Sequence, residues 1–284
     1  AAAGGAQAAA SGTEGGLAAS LCCCLQPTGG ASSKNGAESG AQQQMGSVTT
    51  KGKGKDGESG SPRNGNQSPK SKKTPIFNTF HYEDPAHPSD KPILPPVAEE
   101  DKGKLCLVLD LDETLVHSSF RAVPNPDYII PVQIEDVVHH VYVCKRPGVD
   151  EYLRRCGEKY EVVIYTASLN KYADPLLDKL DIHGVIKYRL FRESCTQYQG
   201  NYVKNLSLLG RDLKTCVIVD NSPLSYLFHP ENAIGCISWI DQQEDDELRV
   251  IQDFCEVVEK EEDVRHHMRH WRQGKTYDVQ SAYR

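Results

Sequence analysis

Several sequence patterns are absent from this chain, and each absence excludes or disfavours a class of protein. No run of 18 apolar residues occurs, so the sequence predicts no membrane-spanning helix. No CxxC pair is accompanied by a second pair of metal ligands, which argues against the common structural zinc sites. The chain has no G-x-x-x-x-G-K-[ST] loop, and no cysteine has an arginine six positions on. A P-loop nucleotide enzyme and a phosphatase with a cysteine nucleophile are therefore both disfavoured.

The chain also lacks an excess of positive charge, with 32 Lys and Arg residues against 39 Asp and Glu, and it is polar overall. The formal net charge is -7 at pH 7, which predicts no direct binding of nucleic acid. Hydrophobic residues make up 38% of the chain and the mean hydropathy is -0.52, too polar for one packed domain over all 284 residues. We therefore expect one globular unit and a disordered part. Most of the ten cysteines are scattered through apolar runs, which predicts free thiols in a reducing compartment.

The first hundred residues differ in composition from the rest. Residues 1–100 consist mainly of Ala, Gly, Ser, Gln and Lys, and this predicts a disordered low-complexity region. Their basic stretch, residues 51–73, is either a solvated linker or a signal for nuclear import or for an acidic surface. The adjacent Cys22, Cys23 and Cys24 are either a low-complexity accident or a lipid anchor through S-palmitoylation. Two or more acyl chains would create a membrane-associated pool.

From Leu105 onward, short apolar runs alternate with helical patterns. Strands buried on both faces are predicted at residues 105–109, 161–165 and 216–219, and a β-hairpin at 128–134 and 137–144. Helices are predicted from Pro147 to a stop at Gly157, over residues 169–180, and in a C-terminal segment whose core face is formed by Leu248, Ile251, Phe254 or Cys255, and Val258. The pattern indicates an α/β domain over residues 101–264, followed by a tail at 265–284. It predicts a parallel sheet flanked by helices, a β-hairpin insertion and no separate cap domain.

Polar side chains follow three of the predicted strands at the point where each strand ends. Asp110 and Asp112 follow the first strand, Thr166 follows the second, and Asp220 and Asn221 follow the third. Ligands of open α/β sheets bind beyond the carboxyl ends of the strands, so we expect these groups to share one cleft. Carboxylate and amide oxygens are suited to Mg²⁺, and a carboxylate can attack phosphorus once the phosphate charge is neutralised.

This set of strand ends resembles the haloacid dehalogenase superfamily, whose fold is Rossmann-like. Longer motifs, over roughly residues 104–264, are similar to the small phosphatases of the RNA polymerase II C-terminal domain. The motifs are Asp110-Leu-Asp-Glu-Thr-Leu-Val-His-Ser-Ser119, Lys145-Arg-Pro-Gly-Val-Asp150, Tyr165-Thr-Ala-Ser-Leu169, Phe191-Arg-Glu-Ser194, Gly200-Asn-Tyr-Val-Lys204 and Val219-Asp-Asn-Ser-Pro223.

The resemblance implies a role for each matching residue. Asp110 would be the nucleophile and Asp112 the general acid and base. Mg²⁺ would be held by the Asp110 side chain, the Asp112 backbone carbonyl and Asn221, with Asp220 in an outer role. The phosphoryl oxygens would be bound by Thr166 and Lys204, and the substrate phosphate also by Arg192. A salt-bridged surface position is the alternative for Arg192.

The resemblance also implies the substrate. A hydrophobic pocket beside the nucleophile would accept a proline next to a phosphoserine, as in the repeats of the RNA polymerase II C-terminal domain, which would place the protein in the nucleus. The matching positions are Phe120, Val132, Ile134, Leu169 and Tyr172. Some of these could instead be ordinary core residues, Val132 above all.

One alternative function remains, and two further sequence features are given no function. The domain could be a catalytically idle scaffold of the same fold, although such relatives typically lose the acid pair that is retained here. His266, His267 and His270 have metal-ligand spacing, but a solvated basic helix end is the favoured interpretation. The acidic residues 244–247 are expected at the N-terminus of a helix, where they favour the helix dipole without any further function.

Overall fold

The structure is a computed structural model that describes residues 91–271. Its centre is a five-stranded parallel sheet in the order β10-β9-β1-β5-β6. These strands are β1 (Cys106–Leu109), β5 (Glu161–Tyr165), β6 (Ile186–Leu190), β9 (Cys216–Asp220) and β10 (Ala233–Gly235). Strand β1 is central, with β5 on one side and β9 on the other. The predicted α/β class and parallel core sheet are confirmed.

A second sheet is inserted between β1 and the first helix. It is antiparallel, in the order β2-β4-β3, and consists of β2 (Val116–Ser119), β3 (Tyr128–Ile134) and β4 (Val137–Lys145). Strands β3 and β4 are the predicted hairpin, and its turn at Glu135 adopts a positive φ of 54°. A further short hairpin joins β7 (Thr196–Tyr198) to β8 (Asn201–Val203).

Four helices complete the described part of the chain. They are α1 (Val149–Lys159), α2 (Asn170–Leu180), α3 (Glu247–Val258) and the single turn α4 (Arg265–Met268). None of the helices within residues 91–271 is long and apolar enough to cross a membrane. Short 3₁₀ turns lie at Glu99–Asp101, Arg192–Ser194, Leu206–Leu209, Leu213–Thr215 and Pro230–Asn232.

The central strands are apolar throughout because both faces of the sheet are covered. Leu107 and Leu109 face one core, which also contains the inward side chains of α1, α2 and α3. Cys106 and Val108 face the other core, together with Leu206 and Leu209. Alternate residues of one strand thus enter opposite cores, as the period of two in a strand requires. The result is a rigid sheet whose carboxyl edge can hold side chains in fixed positions.

The predicted end of the first helix at Gly157 is wrong, because α1 continues to Lys159. A Cβ atom at position 157 would lie 2.3 Å from Cγ1 of Val185, so the glycine allows close packing there and does not stop the helix. In α3 the core position left open between Phe254 and Cys255 is taken by Cys255, which is 2% exposed.

The packing continues past Val264, where the tail was predicted to begin. Met268 is buried, and the indole nitrogen of Trp271 donates a hydrogen bond to the Gly235 carbonyl at 2.8 Å. The seven cysteines within residues 91–271 are all free thiols. The basic stretch at 51–73 and Cys22, Cys23 and Cys24 lie outside the described residues, so the predictions for them stay predictions.

Candidate active site at the carboxyl edge of the sheet

The predicted polar strand ends meet at one edge of the sheet. Asp110 directly follows β1, Thr166 directly follows β5, and Asp220 is the last residue of β9. Because β5 and β9 both pair in parallel with β1, their carboxyl ends lie on either side of Asp110. All three side chains are at least nine-tenths buried.

Lys204 links two of these carboxylates. It follows β8, is 1% exposed, and places Nζ 2.5 Å from Oδ1 of Asp110 and 2.6 Å from Oδ2 of Asp220. Burial lowers the pKa of Lys204, but the charges of Asp110 and Asp220 outweigh it and raise that pKa above its ordinary value. Burial and the charge of Asp110 raise the pKa of Asp220 to about 7. Two carboxylates share one ammonium, so the cluster favours an additional cation.

Asp112 lies in a different environment from Asp110. Its Oδ1 accepts hydrogen bonds from Tyr172 at 2.9 Å and Ser118 at 3.2 Å, and its Oδ2 accepts one from Ser168 at 2.7 Å. Burial, followed by the charges of Glu113 and Asp110, raises the pKa of Asp112 to about 7, although the hydroxyls of Ser168 and Tyr172 act in the opposite direction. A carboxyl with this pKa can both donate and accept a proton near neutral pH.

The oxygen atoms suited to magnesium converge beside Asp110. Thr114 Oγ1 donates to Asp110 Oδ2 at 2.8 Å and lies 3.4 Å from Asn221 Oδ1, so both of these oxygens face one hydroxyl. Carboxylate and amide oxygens are hard ligands, which Mg²⁺ uses together with water and substrate phosphate. The residues present therefore fit the ion. Within residues 91–271 no three His, Cys, Asp or Glu side chains are grouped so that they could hold a metal ion, and this range contains His266, His267 and His270.

Thr166 directly follows β5, whereas Arg192 begins the 3₁₀ turn after β6, and the Arg192 amide donates to the Ser168 carbonyl at 3.0 Å. The hydroxyl of Thr166 accepts a hydrogen bond from the Ser168 amide at 3.0 Å. Arg192 donates from Nε to the Ala167 carbonyl at 2.6 Å, and its guanidinium lies 5.0 Å from the ring centre of Tyr202. These contacts hold Arg192 against the loop that carries Thr166.

Comparison with known proteins identifies the family. The family model described as NLI interacting factor-like phosphatase matches residues 105–265. The chain belongs to the NLI interacting factor-like phosphatase family. All six motifs that carried the resemblance lie within the matched residues, and the predicted relationship to the C-terminal-domain small phosphatases is confirmed.

Two relatives show how far the similarity extends. The chain is 60% identical over 174 residues to a probable C-terminal domain small phosphatase of Dictyostelium discoideum, covering 61% of this chain and 57% of that protein. It is 58% identical over 172 residues to the human carboxy-terminal domain RNA polymerase II polypeptide A small phosphatase 2, covering 61% and 64%. The chain thus spans about three fifths of the length of these relatives. A solved structure of Fcp1, an essential RNA polymerase II CTD phosphatase, matches with a TM-score of 0.47 and 16% identity over 55% of this chain and 62% of that one.

The hydrophobic positions expected to form a pocket in this phosphatase-family domain are mostly closed. Val132 and Tyr172 are each 1% exposed and Ile134 is 9% exposed, and all three belong to the core below the second sheet. Phe120 and Leu169 are half-buried and pack against that core. Only these two side chains offer appreciable surface to a ligand. Tyr172 also directs its hydroxyl to Asp112, a contact that its grouping with apolar residues did not predict.

Sequence reasoning missed the residues that orient the acids of this family member. Ser118 and Ser168 lie inside recognised motifs, but nothing in the sequence shows that both hydroxyls reach Asp112. Arg146 was likewise missed. Its side chain is fully buried, forms a forked ion pair with Asp245 at 2.7 and 2.8 Å, and donates to the Thr114 carbonyl at 3.1 Å. Asp245, expected only to favour a helix dipole, thus anchors an arginine beneath the nucleophile loop.

Proposed function

We propose that this protein is a magnesium-dependent phosphoprotein serine/threonine phosphatase that acts through an aspartyl phosphate on Asp110. The contrast between two carboxyls on one turn is the observation that carries the proposal. Asp110 contacts the ammonium of Lys204, which can only donate, whereas Asp112 contacts hydroxyls and has a pKa raised to about 7. Two acids in such different surroundings can take different roles, one as an anionic nucleophile and the other as a proton carrier.

In the first step the Asp110 carboxylate oxygen attacks phosphorus. The bond from phosphorus to the serine oxygen breaks, and the Asp112 carboxyl gives its proton to that oxygen. In the second step a water oxygen attacks the phosphorus of the aspartyl phosphate while Asp112 takes a proton from the water. The bond between Asp110 and phosphorus then breaks, and inorganic phosphate leaves. One residue serves as acid and then as base because the second step reverses the direction of proton transfer.

The remaining site residues would stabilise charge on the phosphoryl group. Mg²⁺, held by Asp110, the Asp112 carbonyl and Asn221, would neutralise part of that charge when bound. Lys204 and Thr166 would bind non-bridging oxygens, and Arg192 would supply a forked donor at the mouth of the site. Asp220 would have the outer role of holding Lys204 in place through its own contact with Nζ.

The proposed substrate is a phosphorylated protein with proline next to the phosphoserine, such as the RNA polymerase II C-terminal domain. The human relative is named for the RNA polymerase II C-terminal domain, and no separate cap domain occurs among the elements of residues 91–271, which leaves room for a peptide. Phe120 and Leu169 would contact the proline, with Val132, Ile134 and Tyr172 forming the buried layer behind them. Such a substrate places the protein's action in the nucleus.

The test is phosphate release from a phosphoserine-proline peptide with and without Mg²⁺. We expect steady turnover with Mg²⁺, loss of turnover with a chelator, and recovery when Mg²⁺ is added back. A matched peptide with alanine in place of proline should have a kcat/KM lower by at least about fivefold, because filling a small apolar site contributes roughly 1–3 kcal/mol.

Two results would contradict this proposal in different ways. Binding of the phosphopeptide without any release of phosphate would favour the alternative of an idle scaffold. Turnover with equal kcat/KM for the proline and alanine peptides would retain the phosphatase and remove the proline preference.

A further inference from the structure

Asp112 is surrounded by three hydroxyl groups from three separate elements of the fold. Ser118 lies on β2, Ser168 lies in the loop after β5, and Tyr172 lies on α2. Together they contact both carboxyl oxygens, and Asp112 is 3% exposed. The hydroxyls of Ser118 and Tyr172 also contact each other. We call Ser118, Ser168 and Tyr172 the hydroxyl cage.

Hydroxyl groups have a property that the partner of Asp110 lacks. A serine or tyrosine hydroxyl can donate to a carboxylate and, after rotation, accept from a protonated carboxyl. A lysine ammonium can only donate, so the contact between Lys204 and Asp110 cannot reverse in this way. The hydroxyl cage contacts the two oxygens of the Asp112 carboxyl from three separate elements, which restricts rotation of that carboxyl.

We propose that Ser118, Ser168 and Tyr172 are positioning residues that hold the Asp112 carboxyl in one orientation for the reaction. This proposal rests on the proposed function, because it requires Asp112 to transfer a proton. It also gives Tyr172 a role different from that of a wall of the proline pocket.

The first arm of the test compares leaving groups. Tyr172→Phe and Ser168→Ala each remove one oxygen and retain the rest of the side chain. Rates are measured on a series of aryl phosphates of rising leaving-group pKa and on a phosphoserine peptide. A poor leaving group needs the proton of Asp112 more than a good one does. In each variant the ratio of rates between the best and the poorest leaving group should therefore increase at least about tenfold, within the range of general acid catalysis.

The second arm separates positioning from peptide binding and from general loss of structure. The KM for the phosphopeptide should stay within about twofold of the wild type, since Tyr172→Phe retains the ring. In the Asp112→Asn background the same substitutions should produce no further loss, because the proton they help to place is absent. Tyr160→Phe is the control, because Tyr160 is a buried tyrosine at the opposite end of β5 and should leave the leaving-group ratio unchanged.

The outcomes are distinguishable from failure of the phosphatase proposal itself. A wild type without Mg²⁺-dependent turnover would overturn the function and this inference together. A normal wild type whose cage variants slow all leaving groups equally would overturn the inference alone. The inference alone would also be overturned by additive losses of rate in the Asp112→Asn background. A raised KM with unchanged kcat in Tyr172→Phe would overturn it as well.

Discussion

Replacing Asp110 with asparagine is expected to reduce kcat by at least about 10³-fold on every phosphate ester. The amide has nearly the same shape but no anionic oxygen, so it cannot form the bond to phosphorus. Lys204 would keep its contact with Asp220, which should preserve the buried cluster and the fold. The measurement is phosphate release from an aryl phosphate and a phosphopeptide, with circular dichroism to confirm that the variant is folded.

The matched control is Asp241→Asn, the same change at an exposed residue in the segment before α3. It should retain wild-type turnover. If Asp110→Asn kept more than about a hundredth of the activity, the barrier would have risen by less than ~2.7 kcal/mol. A residual activity of that size would show that Asp110 assists the reaction and that another group attacks phosphorus.

The second large effect is on stability. Asp245→Ala should lower the free energy of unfolding by about 3–5 kcal/mol, because it leaves the Arg146 guanidinium buried without its counter-ion. The Arg146 side chain is fully buried and donates two hydrogen bonds to Asp245, so water cannot readily replace the carboxylate. For a domain of this size the thermal midpoint should fall by roughly 6–20 °C. Differential scanning calorimetry measures it.

The neighbouring Asp246 provides a control within the same acidic segment. It pairs with Arg249 at 2.6 Å, but both side chains are more than 60% exposed. Exposed ion pairs contribute little to stability, so Asp246→Ala should leave the midpoint nearly unchanged. If Asp245→Ala and Asp246→Ala lowered the thermal midpoint equally, the acidic segment would act only through its overall charge, as the sequence alone suggested.

The buried strands and the position of the site could be predicted because local sequence determines them. The apolar runs that became β1, β5 and β9 have no other stable location than the interior of a sheet. Polar residues directly after such strands must then lie at one edge, which places Asp110, Thr166 and Asp220 together. The hairpin of β3 and β4 was equally local, since an alternating pattern on both sides of a two-residue turn indicates it.

What could not be predicted depends on contacts between distant parts of the chain. A glycine such as Gly157 commonly ends a helix, but here its lack of a Cβ leaves room for the Val185 side chain from another segment. Tyr172 has the spacing of a pocket residue, yet its ring is buried and its hydroxyl reaches Asp112 across 60 positions of sequence. The same holds for Arg146 and Asp245, which are 99 positions apart. Periodicity predicts which face is buried, and it does not show which polar atoms meet there.

Direct capture of the phosphorylated residue is the sharpest test of the proposed mechanism. Asp112→Asn should slow the attack of water more than the attack of Asp110 on an aryl phosphate, so the acyl phosphate should accumulate in this variant. The variant is mixed with the aryl phosphate and Mg²⁺, quenched in acid, reduced with borohydride and digested for mass spectrometry. The account predicts that residue 110 alone is converted to homoserine, and only in samples that received substrate. Modification at another acidic residue, or none in a variant that still releases phosphate, would contradict it.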